Sequence, residues 1–424
     1  MEDGRPRLDV QHLINPRWIG VLLGVVSASV IFQQVVLFFA GATLTLALTL
    51  SWVWGRYCLD GLTYRRTFGS PTVAFGDDVT LTIEIVNRKL LPLPWLDIAD
   101  ELPTALTLVR GEVLYSWRPG RRILPQLLAL RWYERVVRRY HLHCPARGEH
   151  VFGPVELRSG DLFGLATRRL ALPARQVLLV YPKVVPVEAL GLPARFPLGD
   201  ARAPNRLFRD PLRVAGIRPY TDGDSIRQVH WKATARLGAL QVKTYDPSTT
   251  PRAMLFLNLD TMPRAWEGIR PDLLELAICT AASLASHLVE ERHQVGLAAN
   301  GLLARTTARV RVPPSRAPGH LAIILSMLAR LTAMATLPFA DLLRVERRHV
   351  PAGATIVVIT GLLDDAIRAQ AHAYRTAGHP VLVLAMGDDL RDVREPGLDV
   401  RWIGDEARWR ALRALHASGQ PAGR

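Results

Sequence analysis

Between Arg17 and Arg56 the chain runs for 38 residues, 18–55, without one ionisable side chain, and this stretch constrains the fold more than any other feature. As a single helix it would be about 57 Å long, nearly twice the ~30 Å hydrocarbon core of a bilayer. Two spans are therefore expected, with a turn near Gln33 and Gln34 dividing the run into a helical hairpin over residues 18–56. Arg5, Arg7 and Arg17 precede the hairpin and Arg56, Arg65 and Arg66 follow it. The positive-inside rule then places both flanks in the cytoplasm, and Trp18, Trp52 and Trp54 suit the membrane interface. A cleaved signal sequence is the competing reading, but the run far exceeds an apolar segment of roughly 7–15 residues.

The chain as a whole is too polar for a transporter throughout and too apolar for disorder: 49% of the 424 residues are hydrophobic and 21% charged. A net charge of +15 favours anionic surfaces, whether lipid headgroups, nucleic acid or acidic proteins, without choosing among them. Cys58, Cys144 and Cys279 show no CxxC spacing, so neither a disulfide framework nor a cysteine zinc site is indicated, and a reducing compartment fits best.

Residues 79–87, VTLTIEIVN, alternate as a half-buried strand does, and residues 134–144 and 151–161 repeat the pattern, the latter after a turn at Arg147 and Gly148. Several such strands without a helical period predict an antiparallel β-sandwich of immunoglobulin-like type over residues 62–186. Its stretch 118–139 holds seven arginines and one acid, Glu134, and reads either as a solvated strand face or as a contact with anionic headgroups. His141 and His143 share one side of a strand with Cys144 on the other, too few ligands for zinc.

Beyond Pro251 apolar runs alternate with helical segments: AMLFLNLD, a helix over 272–292, QVGLAAN, a helix over 319–334, ATIVVIT, a helix over 364–376 and PVLVLAM. RWIG reads as an edge strand and ARWRALRALHASG as a terminal helix. This is the pattern of a doubly wound α/β domain over residues 251–424, whose ligands bind outside the carboxyl ends of the strands. Asn258, Asp260, Asn300, Thr360, Gly361, Gly387 and Asp388 occupy those ends. No phosphate loop, nucleophile elbow or HExxH pair is present. His287 and Glu291 stand at i,i+4 with Glu290 beside them, but His293 is expected on another face, so a solvated helix end accounts for the group.

The densest polar and aromatic cluster, IRPYTDGDSIRQVHWKATARLGALQVKTYD, spans 217–246 within a joining segment, 187–250. It reads as a turn at 222–224 with Asp224 as N-cap, a helix over 225–236 ended by Gly238, and a strand LQVKTY. The cluster resembles the signature of the domain of unknown function 58 family, approximately LRxYxxGDxxRxIxWKxxARxxxLxVKxY. Arg218, Tyr220, Gly223, Asp224, Arg227, His230, Trp231, Lys232, Ala235 and Arg236 fall on matching positions. RGEHVFGPVELRSGDLFGL is similar to that family's strand ending in DPFGL, with Leu162 in place of the proline, and VYPKVVPV to its exit from the sandwich.

The resemblance implies a membrane-anchored protein whose last domain is like a von Willebrand factor A domain, commonly encoded beside MoxR-type AAA+ ATPases and transglutaminase-like membrane proteins; with the arginine flanks, the expected location is the inner membrane with the soluble domains facing the cytoplasm. It brings no biochemical activity. An adhesion-type metal site needs Asp-x-Ser-x-Ser; Asp260 matches the first position, but Met262 and Arg264 stand at the serines and Thr360 and Gly361 at the later acidic position, so no metal and no cofactor are expected.

Arg218, Tyr220, Asp224, Arg227, His230, Trp231, Lys232 and Arg236 form the candidate binding set, either as ion pairs fixing the two soluble domains together or as a basic pocket for an anionic group. No catalytic residue is assignable. The leading expectation is a non-enzymatic, membrane-tethered scaffold for cytosolic partners, including a MoxR-type ATPase. The alternative is an enzyme or binding protein for an anionic envelope precursor or small molecule, centred on Arg227. Nucleic-acid binding, resting on charge alone, is the weakest reading and predicts steep salt dependence.

Overall fold

The computed structural model describes residues 7–12, 17–193, 214–221, 229–245, 251–264, 267–306 and 308–417. Two compact units divide the chain, Met1–Lys183 and Val184–Arg424. The hairpin and the first set of sheets thus belong to one unit, and the signature segment belongs to the second.

The first unit opens with β1 (Arg7–His12), a strand the sequence reading missed, followed by helices α1 (Arg17–Ile31) and α2 (Val35–Tyr57). The two helices pack on each other, and the turn falls where the sequence places it, with Gln33 in the left-handed region at φ 51°. Then come β2 (Leu62–Phe68), β3 (Thr72–Val73), β4 (Asp78–Asn87), β5 (Leu93–Pro103), β6 (Thr107–Leu108), β7 (Leu114–Tyr115) and β8 (Arg121–Leu130). The set closes with β9 (Arg135–His143), β10 (Gly148–Phe152), β11 (Val155–Gly160), β12 (Ala166–Leu172) and β13 (Gln176–Val180). They form sheets in the orders β1-β12-β11-β5-β8-β7, β2-β4-β9-β6 and β10-β13-β3.

Alternation in β4 buries Val79, Leu81, Ile83 and Ile85, which meet Leu96 and Ile98 of β5, Leu142 of β9, Leu157 of β11 and Phe152 of β10 in one core. Two expectations are corrected. The pairing is not wholly antiparallel, because β13 runs parallel to β3. The run 151–161 is two strands, because a Cβ at Gly153 would lie 2.2 Å from the Ala174 carbonyl oxygen and the backbone there has φ 82°, a bend only glycine accommodates. Part of the arginine-rich stretch serves the sheets themselves: Arg118 pairs with Glu101, Arg135 with Glu84, and Arg121 donates to the Val151 carbonyl.

The second unit contains β14 (Val214–Pro219), α3 (Trp231–Leu237), β15 (Gln241–Tyr245), β16 (Arg252–Leu257), α4 (Pro271–Glu290), β17 (Gln294–Leu303), β18 (Arg309–Ser315) and α5 (His320–Arg330). It continues through β19 (Leu331–Ala335), α6 (Phe339–Glu346), β20 (Thr355–Thr360), α7 (Asp365–Thr376), β21 (Val381–Met386), β22 (Asp399–Gly404) and α8 (Glu406–Ala417). The large sheet has the order β18-β17-β16-β20-β21-β22. β16, β17, β20, β21 and β22 run parallel, while β18 and β19 are antiparallel to β17.

All six residues of β20 are buried, as a central strand covered on both faces requires. α6 and α7 pack on Phe256, Ile356, Val358 and Val383, and α4 packs on β16, β17 and β20. The helix expected to reach 334 stops at Arg330, since Leu331 turns extended and joins β17 as β19.

Candidate functional site

The parallel sheet grows from β16 to β17 on one side and to β20, β21 and β22 on the other. Its topological switch point therefore lies between the carboxyl ends of β16 and β20, where open α/β sheets bind ligands. The residues there form one polar network. Asn258 donates Nδ2–H to the Thr360 hydroxyl at 3.0 Å, joining the ends of the two strands. Asn300, just past the last β17 residue that pairs with β16, accepts the Leu259 amide at 2.8 Å and shares its own N–H groups among Asn258 Oδ1 (3.1 Å), Asp260 Oδ2 (2.9 Å) and the Leu337 carbonyl (3.3 Å).

Asn258 Oδ1 also accepts the Asp260 amide at 3.0 Å, so the turn after β16 is held by two amide side chains. Burial pushes the Asp260 carboxyl up from the ordinary carboxylate value; the Asn300 hydrogen bond opposes this and the nearby Asp364 carboxylate adds to it. Asp364 in turn caps α7, accepting the Ile367 amide at 2.7 Å. Thr261, in the segment between β16 and α4, accepts the Arg270 amide at 2.8 Å. Farther along the same edge the Trp402 indole donates to the Gly387 carbonyl at 2.9 Å.

The site therefore sets the Asp260 carboxylate on a rigid frame of amide and hydroxyl side chains that are bonded to one another and to the backbone. Among the described residues no three His, Cys, Asp or Glu groups are placed to hold a metal ion. Asn258, Asp260, Asn300 and Thr360 were named from their places at strand ends. The parts played by Thr261, Asp364 and Trp402 were not, although Asp364 before a helical run is a readable N-cap signal.

The signature segment makes a second, smaller assembly. β14 and β15 pair antiparallel with Arg218 opposite Val242, and on its other side β15 receives Val229 through a bridge to the same Val242. Among the described residues, the helix expected over 225–236 is therefore interrupted at 229 and 230. The His230 amide donates to the Gln241 carbonyl at 2.8 Å, which ties residues 229 and 230 to the sheet, and helix α3 begins at Trp231. His230 Nδ1 accepts the Ala233 amide at 3.0 Å as the N-cap, leaving Nε2 to carry the ring proton of the neutral form. Gly238 ends the helix at φ 66°, as read from the sequence.

Arg218 donates to the Pro219 carbonyl and to Thr221 Oγ1 at 3.1 and 3.0 Å, and the Tyr220 amide donates to the Leu240 carbonyl. Trp231, Lys232 and Arg236 are exposed, the two cations one turn apart on one face of α3. Asp224 and Arg227 lie outside the described residues.

Two other groups resolve structurally. His143 Nδ1 lies 2.8 Å from Asp78 Oδ1, while burial, with Asp78 and Asp77 adding to it, pushes the Cys144 thiol up to about 12, which leaves it protonated and inert. The expectation that His293 faces away from His287 and Glu291 is corrected. The chain reverses after α4 with Arg292 at φ 64°, and both histidines, themselves half-buried, approach the carboxylate of the exposed Glu291 at 3.4 and 3.9 Å, with Glu290 also exposed.

The family described as "Protein of unknown function DUF58" matches residues 216–401, from β14 into β22. The match thus takes in both the signature assembly and the switch point. A Bacillus subtilis (strain 168) relative, "Uncharacterized protein YeaD", is 24% identical over 247 residues, 58% of this chain; the chain spans 57% of that relative's length. Among solved structures, a β-glucosidase from Erythrobacter marinus is similar at 13% identity and a TM-score of 0.17, covering 28% of this chain and 15% of that one. A non-cellulosomal cohesin from the hyperthermophilic archaeon Archaeoglobus fulgidus matches at 12% and 0.17, over 24% and 83%. Likenesses at these TM-scores carry no argument about fold or function.

Proposed function

We propose that this chain is a DUF58 family protein that acts as a non-enzymatic, membrane-tethered interaction protein. In this reading the α1–α2 hairpin crosses the inner membrane, the first unit is an immunoglobulin-like sandwich, and the second is a von Willebrand A-like domain that presents its switch point to a cytosolic protein partner. The partner class is a MoxR-type AAA+ ATPase, with a transglutaminase-like membrane protein as a further associate.

The observation that carries the reading is the switch-point network. Asn258, Asn300 and Thr360 spend their hydrogen bonds on one another and on the backbone, so they frame Asp260 instead of offering a nucleophile and a base. A rigid carboxylate on such a frame suits the cationic side chain of a partner. The topology of the first unit supports the tether: β1 precedes the hairpin and pairs with β12, which follows it, from Arg7 opposite Ala171 to His12 opposite Ala166. Both flanks of the hairpin then lie on one side of the membrane, and the positive-inside rule makes that side the cytoplasm.

Capture of the full chain from detergent-solubilised native membranes tests the proposal. An AAA+ ATPase should co-purify with the natural protein and be lost from the Asp260→Asn variant. Repeated recovery of the chain without any protein partner sinks the reading.

The exposed Lys232 and Arg236 beside Trp231 favour a second reading, binding of an anionic small molecule. A thermal-shift screen addresses it, because a ligand at 100 times its Kd adds about 2.7 kcal/mol of stability. A shift that survives Lys232→Ala with Arg236→Ala would exclude this face.

A further inference from the structure

We infer that the end of the first unit that receives α2 is itself a membrane-docking surface, in which three loop tips insert apolar side chains into the headgroup layer of the bilayer. The inference rests on the reading of the hairpin as membrane-spanning. What it adds is that the folded sheets are seated on the lipid and not merely leashed to it.

The carboxyl end of α2 is fastened to the sheets by side chains from several loops. Lys89 donates to the carbonyls of Tyr57, Cys58 and Asp60, satisfying acceptors that the end of the helix leaves open. The Trp54 indole donates to the Pro92 carbonyl at 3.0 Å, and Arg168 bonds both the Arg56 carbonyl and Asp60. The loop carrying Lys89 is tied to its neighbour by the buried Asn87, whose Nδ2 donates to the carbonyls of Leu91 (3.0 Å) and Arg131 (2.8 Å). The third loop is built on Asp161, whose two oxygens accept the amides of Ala166 and Phe163 and whose carbonyl accepts the Trp95 indole.

These fastenings fix the backbone, and what the loops carry at their tips is apolar. Leu90, Trp132, Tyr133, Leu162 and Phe163 are each between 62% and 75% exposed. Five large apolar groups held outward by rigid turns, around the point where an apolar helix leaves the domain, form a ring at the depth of the interface. Trp and Tyr prefer that layer because their rings are amphipathic. Arg88 and Arg131, exposed in the same loops, add attraction to anionic lipid.

Such a surface has one occupant that is continuous with it, the bilayer that α2 enters. A built-in contrast lies at the far end of the same sheet. Tyr115 is barer still, yet it pairs with Arg122, nine residues before Arg131 along β8 and its following loop, which places it about 30 Å away.

The test uses the full chain reconstituted in phosphatidylethanolamine and phosphatidylglycerol vesicles containing spin-labelled acyl chains. Cys58, Cys144 and Cys279 are buried, so an engineered surface thiol takes an environment-sensitive fluorophore selectively. Labels at Trp132→Cys, Phe163→Cys, Tyr115→Cys and, within α2, Phe39→Cys are compared. Docking predicts blue-shifted, quenched emission at positions 132, 163 and 39 and unquenched emission at 115. Quenching at 39 alone overturns the docking surface and leaves the hairpin reading standing. Quenching at 115 equal to that at 132 and 163 also overturns it, as a non-specific approach to lipid. No quenching at 39 removes the hairpin reading and the docking surface together.

Discussion

Helices α2 and α4 are alike by composition and opposite by environment. Among the described residues they are the two helices long and apolar enough to cross a bilayer, with 23 and 20 residues. α4 buries thirteen residues, Leu273 through Leu288, against the sheet and its neighbouring helices. α2 buries only Gly41, Ser51 and Gly55, and turns Leu37, Phe39, Leu44 and Leu46 outward. Small residues inside with large apolar ones outside invert the pattern of a helix that packs on a protein core. Apolarity alone therefore does not separate the two helices; the face that the protein leaves uncovered is what supports the membrane reading for α2.

The largest expected effect separates these helices directly. Leu284 is fully buried in α4, and Leu284→Asp places an unpaired carboxylate in that core, a change that should exceed 4 kcal/mol and unfold the second unit. Hydrogen exchange on the reconstituted chain should show lost protection from β16 to α8 and an unchanged first unit. Leu46→Asp, near the middle of α2, should do the converse. Its insertion penalty of about 2.5–3.5 kcal/mol lowers the membrane-integrated fraction in carbonate extraction, and the second unit keeps its exchange protection. Loss of membrane integration from the α4 variant, with α2's variant inserting normally, would reverse the assignment of the two helices.

The same contrast between covered and uncovered groups extends to polar residues at the sheet edge. Asn300 is buried and serves four partners, so Asn300→Ala should destabilise the second unit by about 1–3 kcal/mol, chiefly through the Leu259 amide left without its acceptor and the bonds withdrawn from Asp260 Oδ2 and Asn258 Oδ1. Chemical denaturation read in the second unit by exchange checks this. An unaltered midpoint would mean that the network is ornamental and that the rigid frame argued for Asp260 does not exist.

Legibility followed locality. The hairpin turn, the strand alternation of β4 and the strand-helix alternation after Pro251 are written in short runs of sequence, and the structure keeps them. β1 and β19 were not readable. β19 is LTAMA, four of its five residues good helix formers and directly after a helix, yet it pairs with β17 as a strand. β1 likewise owes its form to β12, far along the chain. The helix expected over 225–236 is interrupted for the same reason: a hydrogen bond from His230 to Gln241 of β15 holds residues 229 and 230 to the sheet, and α3 begins at Trp231.

At the site, strand-end positions identified Asn258, Asp260, Asn300 and Thr360, because topology alone puts ligands there. The way Asn300 reaches back to the turn after β16 depends on side-chain geometry that no spacing rule encodes. The hidden association of His293 with Glu291 has a similar origin, the left-handed Arg292 that folds the chain back on the helix.

The smallest effect is the one that joins stability to function. The Asp260 carboxyl is pushed above its unfolded value by burial, so its contribution is complete at pH below the unfolded value near 3.9 and is lost as pH rises through the folded value. At neutral pH the ionised form is therefore a burden on the fold. Asp260→Asn keeps an oxygen to accept the Asn300 amide and removes the charge beside Asp364, so it should raise Tm at neutral pH, and the gain should vanish near pH 3. A stabler protein that no longer captures its partner would show that the carboxylate is retained for recognition, at the expense of the fold that frames it. A variant less stable at neutral pH would instead make Asp260 a structural anchor, like Asn300, and would move the search for the recognition surface to the exposed face of α3.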